Sequence, residues 1–145
     1  MKKYSFILLV LILSCDKKYV DCERDLEFKN GLTYFKGKLY SGDCSTFHSN
    51  DSLKSTQRYL KGLDHGEWVY YHDNGNMETY AKFENGKREG EWLYFFNNSN
   101  LKQVSFYKNG LRDSLWKNFN VNSKLIWEKK FLNDTLIEQT NYSNY

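Results

Sequence analysis

The sequence predicts an all-β fold: an elongated, twisted, single antiparallel sheet built from tandem 24-residue β-hairpins. Three observations predict it. Five columns of residues recur every 24 positions: Phe35/Tyr59/Phe83/Tyr107/Phe131, Gly42/Gly66/Gly90/Ser114, Cys44/Trp68/Trp92/Trp116, Phe47/Tyr71/Phe95/Phe119 and Leu53/Met77/Leu101/Leu125. A fixed period of this length marks a repeat architecture. Turn dipeptides such as Asn74-Gly75 separate runs rich in aromatic residues, as hairpins require. The aromatic spacing follows a period of two rather than 3.6, so no amphipathic helix is expected after the N-terminal segment.

The elements follow in order. Residues 1–14 combine a basic start, Met1-Lys2-Lys3, with an apolar run from Phe6 to Leu13. That run is too short to span a bilayer and fits the apolar region of an export signal. Ile12-Leu13-Ser14-Cys15 resembles the bacterial lipobox, which implies cleavage before Cys15 and acylation of that residue. An ordinary signal peptide with an incidental cysteine is the alternative. Residues 15–25 are then a lipidated tether and 26–34 an N-terminal hairpin cap with Asn30-Gly31 at its turn. Repeats cover 35–58, 59–82, 83–106 and 107–130. Residues 131–138 make a partial repeat, and 139–145 a flexible polar tail.

Counting outward from a two-residue loop at Asn74-Gly75 fixes the pairing. Tyr70 faces Thr79, Val69 faces Tyr80, Trp68 faces Ala81 and Glu67 faces Lys82. The same count sets Trp92 against Ser105, Leu93 against Val104, Asp43 against Arg58 and Lys117 against Glu128. Large rings oppose small residues and acids oppose bases, which are favourable cross-strand pairs. A second set of turns, containing Gly62, Gly86 and Gly110, joins the hairpins.

Composition limits the function classes. The chain has 145 residues, 18% of them aromatic, and no proline. One domain is expected at this length. The formal charge is +3. Loss of Lys2 and Lys3 with the signal leaves 19 of the 21 basic residues against 18 acidic ones. Such a balance argues against a nucleic-acid partner. The 15 Asn and 12 Tyr, with no Pro, point to an AT-rich genome. With Cys15 lipidated, Cys22 and Cys44 remain, either as the disulfide an exported chain uses as a staple or as two free thiols.

Gly66-Glu67-Trp68, Tyr71, Asn74-Gly75 and Phe83-Glu84-Asn85-Gly86 together resemble the MORN repeat, in the variant found in bacterial envelope and antitoxin-like (YwqK-type) proteins. Gly90-Glu91-Trp92, Phe95 and Tyr107-Lys108-Asn109-Gly110 carry the same pattern. Trp116 and Gly42 mark the outer units, where Cys44 replaces Trp and Ser114 and Ser123 replace Gly. The resemblance covers about residues 30–137. It implies an elongated, twisted antiparallel sheet and no single activity. The expected function is that of a non-enzymatic lipoprotein whose repeat sheet presents a binding surface to a protein or envelope polymer. The alternative is an antitoxin or immunity-type protein that neutralises a partner toxin.

No catalytic, metal or cofactor motif accompanies the repeats. His65 and His72 fall at opposite ends of one strand, about 20 Å apart, and adjacent Asp–His pairs on a strand point to opposite faces. Trp68, Trp92 and Trp116, with Tyr70 and Tyr94, line one face, as core or as an exposed platform. Val69, Tyr71, Tyr80, Leu93, Phe95, Val104, Phe106, Phe119 and Ile126 form the opposite layer, which is the candidate binding face. Lys61, Lys87, Lys108 and Arg112 fall in turns along one edge, where they limit edge pairing or attract anionic surfaces. Asp51-Ser52-Leu53, Asp113-Ser114-Leu115 and Asp134-Thr135-Leu136 resemble a bacterial O-glycosylation acceptor, although Asp and Ser/Thr equally mark turns. The expected setting is the bacterial cell envelope, the outer membrane favoured over the inner, with a monomer held to the bilayer through Cys15.

Overall fold

The computed structural model describes residues 19–142, and these form no helix. The strands are β1 (Val20–Asp21), β2 (Leu26–Lys29), β3 (Leu32–Phe35), β4 (Lys38–Leu39), β5 (Gly42–Phe47), β6 (Leu53–Leu60), β7 (Leu63–Asp64), β8 (Gly66–Tyr71), β9 (Met77–Glu84), β10 (Lys87–Arg88), β11 (Gly90–Phe95), β12 (Leu101–Lys108), β13 (Leu111–Phe119), β14 (Leu125–Leu132) and β15 (Thr135–Asn141). The fold is all-β. Its main sheet has the order β1-β5-β6-β8-β9-β11-β12-β13-β14-β15, with β7 on β6 and β10 on β9.

The expected pairs are present: Trp68 opposite Ala81, Val69 opposite Tyr80, Tyr70 opposite Thr79 and Glu67 opposite Lys82. So are Trp92–Ser105, Leu93–Val104, Asp43–Arg58 and Lys117–Glu128. The turn that sets them differs from the expectation. Asn74 does not adopt a positive φ; Gly75 does, at 83°. His72 N–H donates to Asn76 O and Gly75 N–H to His72 O. The loop is therefore three residues, 73–75, closed by a residue in the left-handed region. One extra residue in each return strand restores the register: pairing runs Tyr71–Met77 and then Tyr70–Thr79, passing over Glu78. Lys54, Lys102 and Ile126 are passed over in the same way. The two-residue count reached the right pairs because loop and bulge compensate.

Turns with positive φ at both centres lie half a repeat away, between hairpins: Lys61-Gly62, Asn85-Gly86, Asn109-Gly110 and Asn133-Asp134. The second residue of each donates its N–H to the preceding unit: Gly62 to Tyr40 O, Gly86 to Asp64 O, Gly110 to Arg88 O and Asp134 to Arg112 O. These bonds, each 2.7–2.9 Å, lock neighbouring hairpins together along one edge. A second positive-φ position, at Gly66, Gly90 and Ser114, kinks the chain just before each Trp strand.

Three features depart from a single antiparallel sheet with loose ends. β2, β3 and β4 form a separate three-stranded sheet, tied to the long one by Thr33 N–H to Gly62 O. β1 adds parallel to β5, Val20 beside Cys44, so the long sheet is mixed and the expected tether is partly structured. The Cys22–Cys44 disulfide closes this corner, with Cα atoms 5.2 Å apart. At the other end, residues 139–141 belong to β15 and pair with Trp127–Lys129, where a flexible tail was expected. Cys15 and the signal segment 1–14 lie outside the described residues.

Candidate binding surface

One face of the long sheet is the core. Its rings form a continuous spine: Phe35, Tyr40, Tyr59, Trp68, Phe83, Trp92, Tyr107, Trp116 and Phe131, with successive centroids 4.8–6.0 Å apart. Two 24-residue columns interleave here, because Trp and Phe/Tyr strands alternate across the sheet. Tilted and edge-on contacts of this kind contribute about 0.5–1.5 kcal/mol each beyond buried area. Small residues make room: Ala81 and Ser105, opposite Trp68 and Trp92, are fully buried. Each indole N–H is satisfied by a main-chain carbonyl of the preceding strand, Trp68 by Arg58, Trp92 by Lys82 and Trp116 by Phe106. Tyr70 and Tyr94 flank the Trp rings. Cys44 occupies the Trp column in the first repeat, so the disulfide takes the place of a ring.

Cations close the open side of the spine. Arg88 lies over Trp92 and Tyr107, at 4.8 and 5.1 Å, and donates to the Tyr107 hydroxyl. Arg112, 24 residues on, lies 4.6 Å over Phe131 and pairs with Asp134. Arg112 N–H and its guanidinium hold the Asp134 carboxyl below the usual range. Asp64 stands in the same column one repeat earlier. Burial pushes its carboxyl up, and its charge reinforces the upward shift that burial imposes on Tyr59 and Tyr70.

The opposite face holds the candidate binding residues. Val69, Tyr80, Leu93, Val104 and Phe106 sit on it by strand alternation, and all are half-buried. Tyr71, Phe95 and Phe119 are half-buried too, but the register slips between each of them and the preceding residue. Ile126 is itself a passed-over residue. Simple alternation therefore does not run unbroken to these four. Charged pairs stripe the same face. Arg58 donates two bonds to Asp43, at 2.6 and 3.0 Å, and holds that carboxyl low. Tyr80 OH donates to Glu67, and Lys117 pairs with Glu128 at 3.0 Å. A depression of about 240 Å³ lies among Asp43, Ser45, Thr56, Arg58, Glu67 and Val69.

The loop edge carries a ladder of hydrogen bonds between loops that the sequence reading did not assign. Asn74 Nδ2 donates to Asn97 O in the next loop, while its Oδ1 accepts from Asn76 N–H. Asn50 reaches Asp73 O and Asn100 reaches Val121 O. His48 and His72 bond to Tyr71 O and Phe95 O through Nε2. His72 is thus a rung between loops, and His65, as expected, lies at the other end of β8. Asn50, Asn74, Asn98 and Asn122 are 24 apart, a column visible in the sequence. Ser52, bonded to Asn50, also belongs to this edge. Ser114 and Thr135 likewise lie at turns or kinks.

The comparison with known families falls on the best-formed hairpins. Residues 64–85 and 88–109 match the MORN repeat variant. Each matched MORN unit runs from just past one inter-hairpin turn into the next, so the unit is a whole hairpin offset from the 59–82 and 83–106 boundaries. The hairpins before and after share the inter-hairpin hydrogen bonds of the matched units but carry Cys44 where those have Trp and Ser114 where those have Gly. No curated protein matches the chain.

Proposed function

We propose that this chain is an exported, lipid-anchored and non-enzymatic binding module of the bacterial cell envelope. Its outer sheet face holds a protein or envelope polymer. The observation that carries this reading is the half-buried apolar row Val69, Tyr80, Leu93, Val104 and Phe106. No second layer covers this row among the described residues. A sheet stabilises itself by burying one face, and here the ring spine already supplies that face. Tyr, Phe and aliphatic residues ringed by charged pairs match the composition of interface cores and rims. The matched repeats support a repeat-based binding role, because stacked units present one extended surface. Cys15 is the anchor in this reading. From it, only Asp16 to Tyr19 separate the bilayer from β1.

The test places a photo-crosslinking residue at Leu93 or at Gln103 of the full chain in its own envelope. Discrete adducts from Leu93 and none from Gln103 are expected. Phe106→Ser removes the Leu93 adducts while melting within about 3 °C of wild type, less than a lost core contact costs. Adducts from Gln103 alone, or none, would reject the outer face. Separately, Cys15→Ala moves the protein from the detergent phase to the aqueous phase; an unacylated wild type rejects the anchor.

A further inference from the structure

We propose that β15 is the docking edge for a second copy of this chain, giving a closed two-fold pair with one continuous sheet. In the array, β5, β8, β11 and β13 each pair on their outer side with the return strand of the same hairpin, over six positions. β15 occupies the equivalent place in a fifth unit. It is bonded to β14 from Leu132–Thr135 through Trp127–Asn141, and Tyr142 N–H still reaches Ile126 O. Its other side pairs with nothing among the described residues, and all seven of its residues are exposed.

The strand is lightly protected for an open edge. It contains no Lys, Arg or Pro, and its one charge is Glu138. Its one bulge, at Ile137, faces the β14 side. The kinks at Gly66, Gly90 and Ser114 also lie on strands whose outer sides are paired, so such an irregularity does not prevent a partner. Leu132, Leu136 and Ile137 are 57%, 48% and 56% exposed at this end. An array normally finishes in a polar capping unit.

The choice of a second copy rests on the opposite edge. There β1 covers β5 and the Cys22–Cys44 bridge fixes it. β1 already pairs at Cys44 and Ser45, in the middle of that edge, which opposes head-to-tail growth through a β15 strand. Antiparallel pairing of β15 with itself satisfies both open edges at once and stops at two. A two-fold axis at Glu138 would set like charges together. An axis at Gln139 sets Glu138 against Thr140 and Ile137 against Asn141, with no charge conflict.

The test uses the full chain in detergent, its mass measured by sedimentation. A dimer is expected for the wild type at about 10 μM, a range where specific edges assemble. Gln139→Lys and Gln139→Glu each set like charges on the axis and are expected to be monomers with unchanged melting. Mixing the two restores the dimer. Gln139→Cys forms a covalent dimer under mild oxidation, and Ser99→Cys on the loop edge does not. A monomeric wild type, dimers that survive both charge variants, or no rescue on mixing would overturn the proposal. So would a wild type that grows into larger assemblies.

Discussion

The Trp92 indole N–H donates to the main-chain carbonyl of Lys82 across 3.1 Å, ten residues back along the chain. The same ten-residue link joins Trp68 to Arg58 and Trp116 to Phe106. Each of these three tryptophans thus binds the strand before it as well as the rings beside it. Trp92→Phe keeps a ring in the spine but removes one of the two donors to the Lys82 carbonyl, which still accepts from Glu89 N–H. The expected loss is about 2–3 kcal/mol, from the smaller ring and the broken bond together. Urea unfolding measures it. A loss below about 0.5 kcal/mol would mean the bond contributes nothing.

Backbone conformation gives the second prediction. Ser99 and Ser123 occupy the left-handed region, with φ of 65° and 63°, where Gly75 stands in the second repeat. Ser99→Gly and Ser123→Gly are each expected to stabilise by about 0.5 kcal/mol, after the glycine's entropy cost. Gly62→Ala runs the other way. Its Cβ would meet Leu39 Cδ2 at 2.9 Å and Thr33 O at 3.0 Å, at a φ of 80°. It is expected to cost about 2 kcal/mol or more and to loosen the cap sheet. Thermal melts of the three variants compare the two signs directly.

The loop edge gives a third. Asn74→Asp keeps the Oδ1 that receives Asn76 N–H and removes the Nδ2 donor to Asn97 O. Asn74→Ala removes both. The expected losses are about 0.5–1 kcal/mol for Asp and about 1–2 for Ala. Equal losses would show that the Oδ1 bond to Asn76 adds nothing, and no loss for Asp would show that the bridge between loops is worth nothing.

A fourth concerns pH. The Asp64 carboxyl is raised by burial, so the folded chain holds its proton more tightly than the unfolded one. The stability linked to it is full below the ordinary carboxyl range and falls as pH rises through the raised value. Asp64→Asn removes that fall. The variant should melt above wild type at pH 7 and approach it at about pH 3. Asp43 and Asp134 titrate oppositely. Both carboxyls are lowered by their arginines, and their contribution disappears as pH drops through those lowered values. Melting at several pH values separates the two behaviours, and a pH-independent offset for Asp64→Asn would refute the first.

The disulfide gives a fifth. A bridge over 22 residues contributes about 3 kcal/mol through the unfolded chain. Reduction should release β1 and the edge at Gly42–Phe47 to hydrogen exchange before the Trp spine opens. Uniform loss of protection would instead show one cooperative unit.

What the sequence made legible was whatever repeats with one period. The Trp, Gly and Phe/Tyr columns located the hairpins and their register, and the odd cysteine count left Cys22 and Cys44 to pair. Less legible was anything that compensates. The three-residue loop and the passed-over Glu78 cancel in the register, so both were invisible to counting. The asparagines were read as composition because each looked like a turn marker, although Asn50, Asn74, Asn98 and Asn122 keep the period. The parallel strand β1 has two residues and no pattern of its own. On the candidate face, Val69 and Leu93 followed from alternation, but the slips beside Tyr71, Phe95 and Phe119 break that rule.

The corner where β1 meets β5 also sets a load path. Tension entering from the N-terminal side would first shear Val20–Asp21 along β5, and then reach Cys22. From there it passes directly to Cys44 through the bridge. The cap strands β2, β3 and β4 lie inside the closed loop and carry none of it. Pulling the oxidised chain therefore leaves about 70–80 Å of contour length unextended, at about 3.3–3.6 Å per residue. Reductant would release that length as a separate step. A pull from the N-terminal side is thus delivered to the first full hairpin, with the cap held slack beside it.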